Sequence, residues 1–173
     1  MIENEKQNGM TVYIDMDGVI ADFFTAFAAA NGKKHWKEIE DVETKINELA
    51  KTDFFNTLDL YPTSKALVEL VKEYAGDDWG ICSSPLRGDH KNSSYWKKVW
   101  LNDKGFVPPK SKNLVLTSNK GKYATKNGIP NILIDDKPVN IADWVAKGGI
   151  GIRYQADEDT LDHVKKGLTE ALN

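Results

Sequence analysis

Two carboxylates two residues apart, Asp15 and Asp17, follow the apolar run Val12-Tyr13-Ile14, and Gly18 comes next. Close carboxylates repel each other unless a cation or a proton lies between them. Asp also suits turns and helix caps, so the pair alone leaves a structural reading open. Other reactive types recur at the ends of later apolar runs. Ser83 and Ser84 follow Trp79–Cys82, Lys120 follows Asn113–Thr117, and Asp135 and Asp136 follow Asn131–Ile134. Four carboxylates brought to one place need a cation. Oxygen donors without nearby Cys or His favour a hard divalent ion, Mg²⁺ rather than zinc. A lysine and a hydroxyl beside such a site suit a phosphoryl group, with Lys120 neutralising its oxygens and Ser83, with a backbone N–H, binding others. Asp15 is then placed to attack phosphorus, and Asp17 to protonate the leaving oxygen and later deprotonate water. Asp135 completes the metal's ligands, and Asp136 supports it directly or through water.

The elements that must position these residues alternate along the chain. Strands are expected at Thr11–Asp15, Trp79–Ser83, Asn113–Thr117, Asn131–Ile134 and Gly149–Tyr154. Between and after them the apolar spacing predicts helices at Val19–Asn31, Thr63–Ala75, Asn92–Lys104, Val139–Lys147 and Asp157–Leu172. The reading is an α/β fold, a Rossmann-like parallel sheet with helices on both faces. In such a sheet the strand ends share one edge, where open α/β folds bind ligands. His35–Lys51 carries Trp36, Ile39, Val42, Ile46 and Leu49 at spacings of three and four, which predicts one amphipathic surface helix. Residues 24–60 exceed what one crossover needs, and are expected to form a small helical cap over that edge. The core is then residues 11–23 and 61–173, preceded by a flexible tail at 1–10.

With 173 residues and 40% hydrophobic content, the chain suits one domain with a small insertion. A net charge of −3 and the lack of a basic stripe speak against a long nucleic-acid substrate. No apolar run is long enough to span a bilayer. The lone Cys82 allows no internal disulfide and fits a reducing cytoplasm, and its place on a buried strand suggests simple packing. Lys122 is a rival to Lys120 as the phosphate-binding lysine.

Asp15-Met16-Asp17-Gly18-Val19 resembles the first motif of the haloacid-dehalogenase (HAD) phosphohydrolases. Ser83, Lys120 and the Asp135-Asp136 pair match the second, third and fourth motifs in order. Within that superfamily the chain is most similar to the 5′(3′)-deoxyribonucleotidases. The shared stretches are DMDGVIADF at 15–23, FFNTLDLYP at 54–62, ICSSP at 81–85, LVLTSNK at 114–120 and LIDDKP at 133–138. The resemblance implies Mg²⁺-dependent removal of phosphate from small nucleoside monophosphates, with a preference for deoxyribose. It implies a metal held by the side chains of Asp15 and Asp135 and the backbone carbonyl of Asp17, with Asp136 behind them. It places Phe23 against the nucleobase and the amide of Ser84 toward phosphate. Ser118 and Lys137 depart from the pattern, standing where vertebrate members carry arginine. Rival readings are a related phosphatase for another small phosphomonoester or a nucleic-acid 3′-phosphate end, and a non-enzymatic receiver-like module that binds phosphate and Mg²⁺. Receivers lack an acid two residues after the phosphoacceptor, which Asp17 supplies here.

Overall fold

A computed structural model describes residues 9–172; most of the expected tail lies outside them. Five strands form one parallel sheet: β1 (Val12–Ile14), β2 (Trp79–Ser83), β3 (Leu114–Leu116), β6 (Ile132–Asp135) and β7 (Ile150–Arg153). Their order is β3-β2-β1-β6-β7. The chain therefore builds outward from β1 to β3, then returns to place β6 on the other side of β1. Ile14 lies level with Ile81 on one side and Ile134 on the other. The crevice between β1 and β6 is the switch point where strand order reverses, the usual ligand position in open α/β sheets.

Alternation along the strands separates two cores. Val12, Ile14, Ile81, Ile132 and Ile134 face one side. There they pack with α3 (Ser64–Ala75), α4 (His90–Lys104) and α6 (Leu161–Leu172) through Leu67, Val71, Trp100, Val164 and Leu168. Tyr13, Cys82, Val115 and Leu133 face the other side, against Trp144 of α5 (Pro138–Ala146). Cys82 is simply packed there, and burial pushes its thiol up to about 12.

Two local expectations are corrected. The first helix, α1, spans Phe23–Ala30 and starts four residues later than expected. Val19, Ile20 and Ala21 instead close a tight loop, all three N–H groups donating to the Met16 carbonyl. Asp22 then caps α1, its side chain accepting from the Thr25 N–H at 3.1 Å. The single helix expected over His35–Lys51 is broken into a 3₁₀ turn at Trp36–Glu38 and the short α2 at Val42–Asn47. Between them Asp41 adopts a left-handed conformation (φ 53°), which a continuous helix cannot contain. Outside the main sheet, β4 (Thr125–Lys126) and β5 (Ile129–Pro130) form a small hairpin. Asn127 and Gly128 both have positive φ at its turn, the pairing that a two-residue hairpin loop favours. Among the described residues no helix is long and apolar enough to cross a membrane.

Candidate active site

Asp15 leaves β1 with its N–H bonded to the Ile134 carbonyl at 2.9 Å, so its side chain emerges at the switch point. Asp135 ends β6 beside it. Lys120, on the 3₁₀ turn after β3, reaches into this crevice and bridges the two. Its Nζ donates to Asp15 Oδ1 at 2.9 Å and to Asp135 Oδ2 at 2.7 Å. All three side chains are buried. Asp135 is held further by the Lys137 N–H at 2.9 Å and Asn140 Nδ2 at 3.1 Å. Lys122 is exposed and lies 6.0 Å from the centre of the Tyr123 ring, so the two candidate lysines part company here.

Asp136 completes a carboxylate cluster. Asp15, Asp135 and Asp136 each offer an oxygen within 4.8 Å of the others. Asp136 Oδ1 is buried without a hydrogen-bond partner. The charges compete in this space. Burial, then Asp135, raises the Asp15 carboxyl to about 6 against the pull of Lys120. Burial, then Asp15 and Asp135, raises Asp136 to about 8. Burial acts against the charged form of Asp135 too, yet the Lys120 ammonium holds it below the usual carboxylate range. Burial alone would lower Lys120, but Asp15 and Asp135 outweigh it and hold the ammonium above its ordinary value.

Gly18 makes the cluster possible. Its φ is +84°, and a Cβ there would collide with the Asp136 carboxylate. Gly18→Ala is therefore expected to destabilise the fold. The backbone alone costs about 1–2 kcal/mol, and the clash adds to it. Urea unfolding checks this, and an unchanged midpoint would contradict it.

Asp17 lies outside this group of three carboxylates. Its Oδ2 accepts from Lys97 Nζ at 3.2 Å, and its Oδ1 is buried without a partner. Lys97 also donates to Ser83 Oγ at 2.8 Å and to the Ser84 carbonyl at 2.9 Å. Asp17, Ser84, Phe23, Phe55, Arg87 and Lys137 line a cavity of about 610 Å³. A second cavity of about 400 Å³ reaches Gly18 and Asp136 and shares Phe23, Phe24 and Lys137 with the first. Phe23 is mostly buried, stacked on Phe27 and Phe55. It serves as both core and cavity wall.

Sequence reasoning missed Lys97, Asn140 and Arg87. Arg87 and Asn140 gave no distinctive signal. Lys97 did, because Ser93, Lys97, Trp100 and Leu101 share one helical stripe and all are buried.

No family model matches the chain. Mouse mitochondrial 5′(3′)-deoxyribonucleotidase is 27% identical over 150 residues, covering 75% of this chain and 65% of that protein. The chain thus spans just under two thirds of the length of this curated relative. A HAD-family hydrolase from Deinococcus radiodurans, solved with bound phosphate and sodium, superposes with a TM-score of 0.53 at 16% identity. That match covers 82% of this chain and 78% of the other. A HAD-superfamily hydrolase from Ehrlichia chaffeensis gives 0.52 at 15% identity, over 94% and 97% of the two chains. This chain has the HAD-like fold. In sequence it also resembles the 5′(3′)-deoxyribonucleotidases. Within the HAD-like fold, β1 and β6 bring Asp15, Asp135 and Asp136 together, and the turn after β3 delivers Lys120. Ser83 ends β2 on the same edge, and Asp17 faces the larger cavity.

Proposed function

We propose that this protein is a Mg²⁺-dependent phosphomonoesterase acting on nucleoside monophosphates, of the 5′(3′)-deoxyribonucleotidase type. The observation that carries the reading is the buried group of three carboxylates and one lysine, with Asp17 two residues beyond Asp15 and lining the 610 Å³ cavity. The donor set fits a hard divalent cation. It is all oxygen, it gathers more negative charge than Lys120 can balance, and it leaves Asp136 Oδ1 unpartnered. Asp15, Asp135 and Asp136, with the Asp17 backbone carbonyl, would hold Mg²⁺. When bound, the ion offsets the repulsion between carboxylate and phosphate.

The chain's own groups divide the chemistry. Asp15 attacks phosphorus, forming the aspartyl-phosphate as the bond to the leaving oxygen breaks. Asp17 gives that oxygen a proton, then takes one from the water that attacks phosphorus and releases Asp15. Lys120, Ser83 and the Ser84 amide hold the phosphoryl oxygens. Residues 24–60 act as a cap, and Phe23 meets the base in a cavity whose size and aromatic wall suit a nucleoside.

The test is phosphate release from deoxy- and ribonucleoside 5′- and 3′-monophosphates, with Mg²⁺ and with EDTA. Sugar phosphates and a 3′-phosphorylated oligonucleotide serve as comparators. Metal-dependent release favouring deoxynucleotides supports the reading. Release from the comparators alone overturns the substrate. A long-lived aspartyl-phosphate without turnover would favour a receiver-like module.

Metal binding should also show itself in stability. Without metal, burial and the neighbouring carboxylates raise folded Asp136 to about 8 and Asp15 to about 6, from an ordinary 3.8. Between about pH 4 and 8 the folded state therefore binds more protons than the unfolded chain, and its stability falls as pH rises. Mg²⁺ replaces those protons, so its stabilising effect is expected to grow from pH 5 to pH 8. At a hundredfold excess over Kd the gain is about 2.7 kcal/mol, or roughly 5–10 °C for a chain of this size. Thermal melts with Mg²⁺ and with EDTA across that range check this. An increment independent of pH would contradict it.

A further inference from the structure

A lysine with no exposed surface is unusual, and Lys97 is 0% exposed in the middle of α4. Its three ammonium protons meet three acceptors: Asp17 Oδ2, Ser83 Oγ and the Ser84 carbonyl. The Phe55 ring covers it, with its centre 4.9 Å from Nζ. No donor is left over, so every direction in which this ammonium can act is accounted for. Lys97 shares no hydrogen bond with Asp15, Asp135 or Asp136. The two buried lysines divide the site, Lys120 serving the carboxylate cluster and Lys97 serving Asp17 and Ser83.

Two consequences follow from the atoms involved. A serine hydroxyl has one proton and two lone pairs. Lys97 occupies a lone pair of Ser83 Oγ, and among the described residues no acceptor takes the Ser83 proton. That proton is free for an oxygen entering the site. Asp17 has one oxygen fixed by Lys97, while Oδ1 remains unpartnered. The carboxylate is thereby fixed in orientation with one oxygen uncommitted, as a group that must pass a proton to a leaving oxygen requires. We propose that Lys97 is a positioning residue that fixes the Asp17 carboxylate and the Ser83 hydroxyl in one reactive arrangement. The proposal rests on the phosphomonoesterase reading above. It adds a residue that touches neither phosphorus nor metal and acts through its neighbours.

The test exploits leaving groups. A nucleotide expels an alkoxide that needs a proton from Asp17, whereas p-nitrophenolate leaves unaided. The ratio kcat/KM covers the steps through formation of the aspartyl-phosphate, where this difference is felt. Lys97→Gln and Lys97→Met are expected to lower kcat/KM for a deoxynucleoside monophosphate by about 100-fold or more. For p-nitrophenyl phosphate the expected loss is under about tenfold. In an Asp17→Asn background, Lys97→Gln should add little further loss on the nucleotide. Equal losses on both substrates, or full additivity with Asp17→Asn, would overturn the positioning role while leaving the phosphomonoesterase reading intact. A wild-type enzyme inactive on both substrates would overturn that reading and this proposal together.

Circular-dichroism melts establish that the variants fold. A second measurement needs no change at Lys97. In the wild type, lysine Nζ NMR should show the two buried ammoniums, Lys97 and Lys120, in slow exchange with water, and one of the two resonances should move in both Asp17→Asn and Ser83→Ala. No protected ammonium, or none that responds to both substitutions, would overturn the proposal.

Discussion

Asp15→Asn is expected to abolish turnover while leaving the fold as stable as before, or slightly more so. The amide keeps the shape of the carboxylate but cannot attack phosphorus. Loss of a covalent nucleophile can cost about 10⁶-fold in kcat, so a fall of at least about 10⁴-fold is expected here. The stability half of the expectation comes from the cluster's charge. Asp15 is buried and titrates near 6 because desolvation and Asp135 oppose its ionised form. Asn removes that charge, and its Oδ1 can still accept from Lys120, which keeps its 2.7 Å contact with Asp135. Phosphate release and a thermal midpoint, measured on the same preparation, check both halves. Turnover near the wild-type rate would assign the nucleophile to another residue. Lost turnover with a collapsed midpoint would make Asp15 structural.

The sequence carried most of the framework because the strands are short β-branched runs ending in polar residues. Val12-Tyr13-Ile14 and Ile132-Leu133-Ile134 are buried on both faces, so their whole length is apolar. The four strand ends converge because parallel strands share an edge, a geometry that follows from the alternation of strands and helices alone. The start of α1 was not. Val19, Ile20 and Ala21 are as apolar as a buried helix, and composition does not distinguish a helix from a loop folded over one carbonyl. The break at Asp41 was hidden for a related reason. The spacing from Trp36 to Leu49 reports which residues face inward, and it tolerates an interruption between two short turns. The strands beside Asn127-Gly128 are two residues each, too short for an apolar pattern to mark them.

Within the candidate site, the difference between Lys120 and Lys97 shows where residue type stops being informative. Lys120 ends an apolar run, so its position was readable. Lys97 sits in a helix with Lys91, Lys98 and Lys104, all of which the structure leaves at least partly exposed. Only its place on the stripe with Ser93 and Trp100 separates it from them, and the usual position of a helical lysine is solvent. The cluster is also tighter than separate strand ends convey. Asp136 packs against Gly18, and this contact decides that position 18 carries no side chain.

Asp17→Asn separates the two half-reactions that share one carboxylate. With a nucleotide substrate, the first step loses its proton donor, and kcat/KM is expected to fall by about 10²–10⁴-fold. With p-nitrophenyl phosphate, the first step needs no donor, so kcat/KM is largely retained. The second step still needs a base to deprotonate water, so kcat falls on this substrate too. The consequence is a stoichiometric burst of p-nitrophenolate followed by slow turnover, with Asp15 left phosphorylated. The neutral amide also meets Lys97 as an acceptor at the same position, so the fold should survive and the burst should report on functional sites. Rapid mixing measures the burst, and intact-protein mass spectrometry of the quenched sample measures one added phosphoryl group, absent when Asp15 is also changed to Asn. Equal losses in kcat/KM on both substrates would remove Asp17 as the acid. Unchanged kcat on p-nitrophenyl phosphate would remove it as the base, and the exposed side of the 610 Å³ cavity would have to supply the proton acceptor instead.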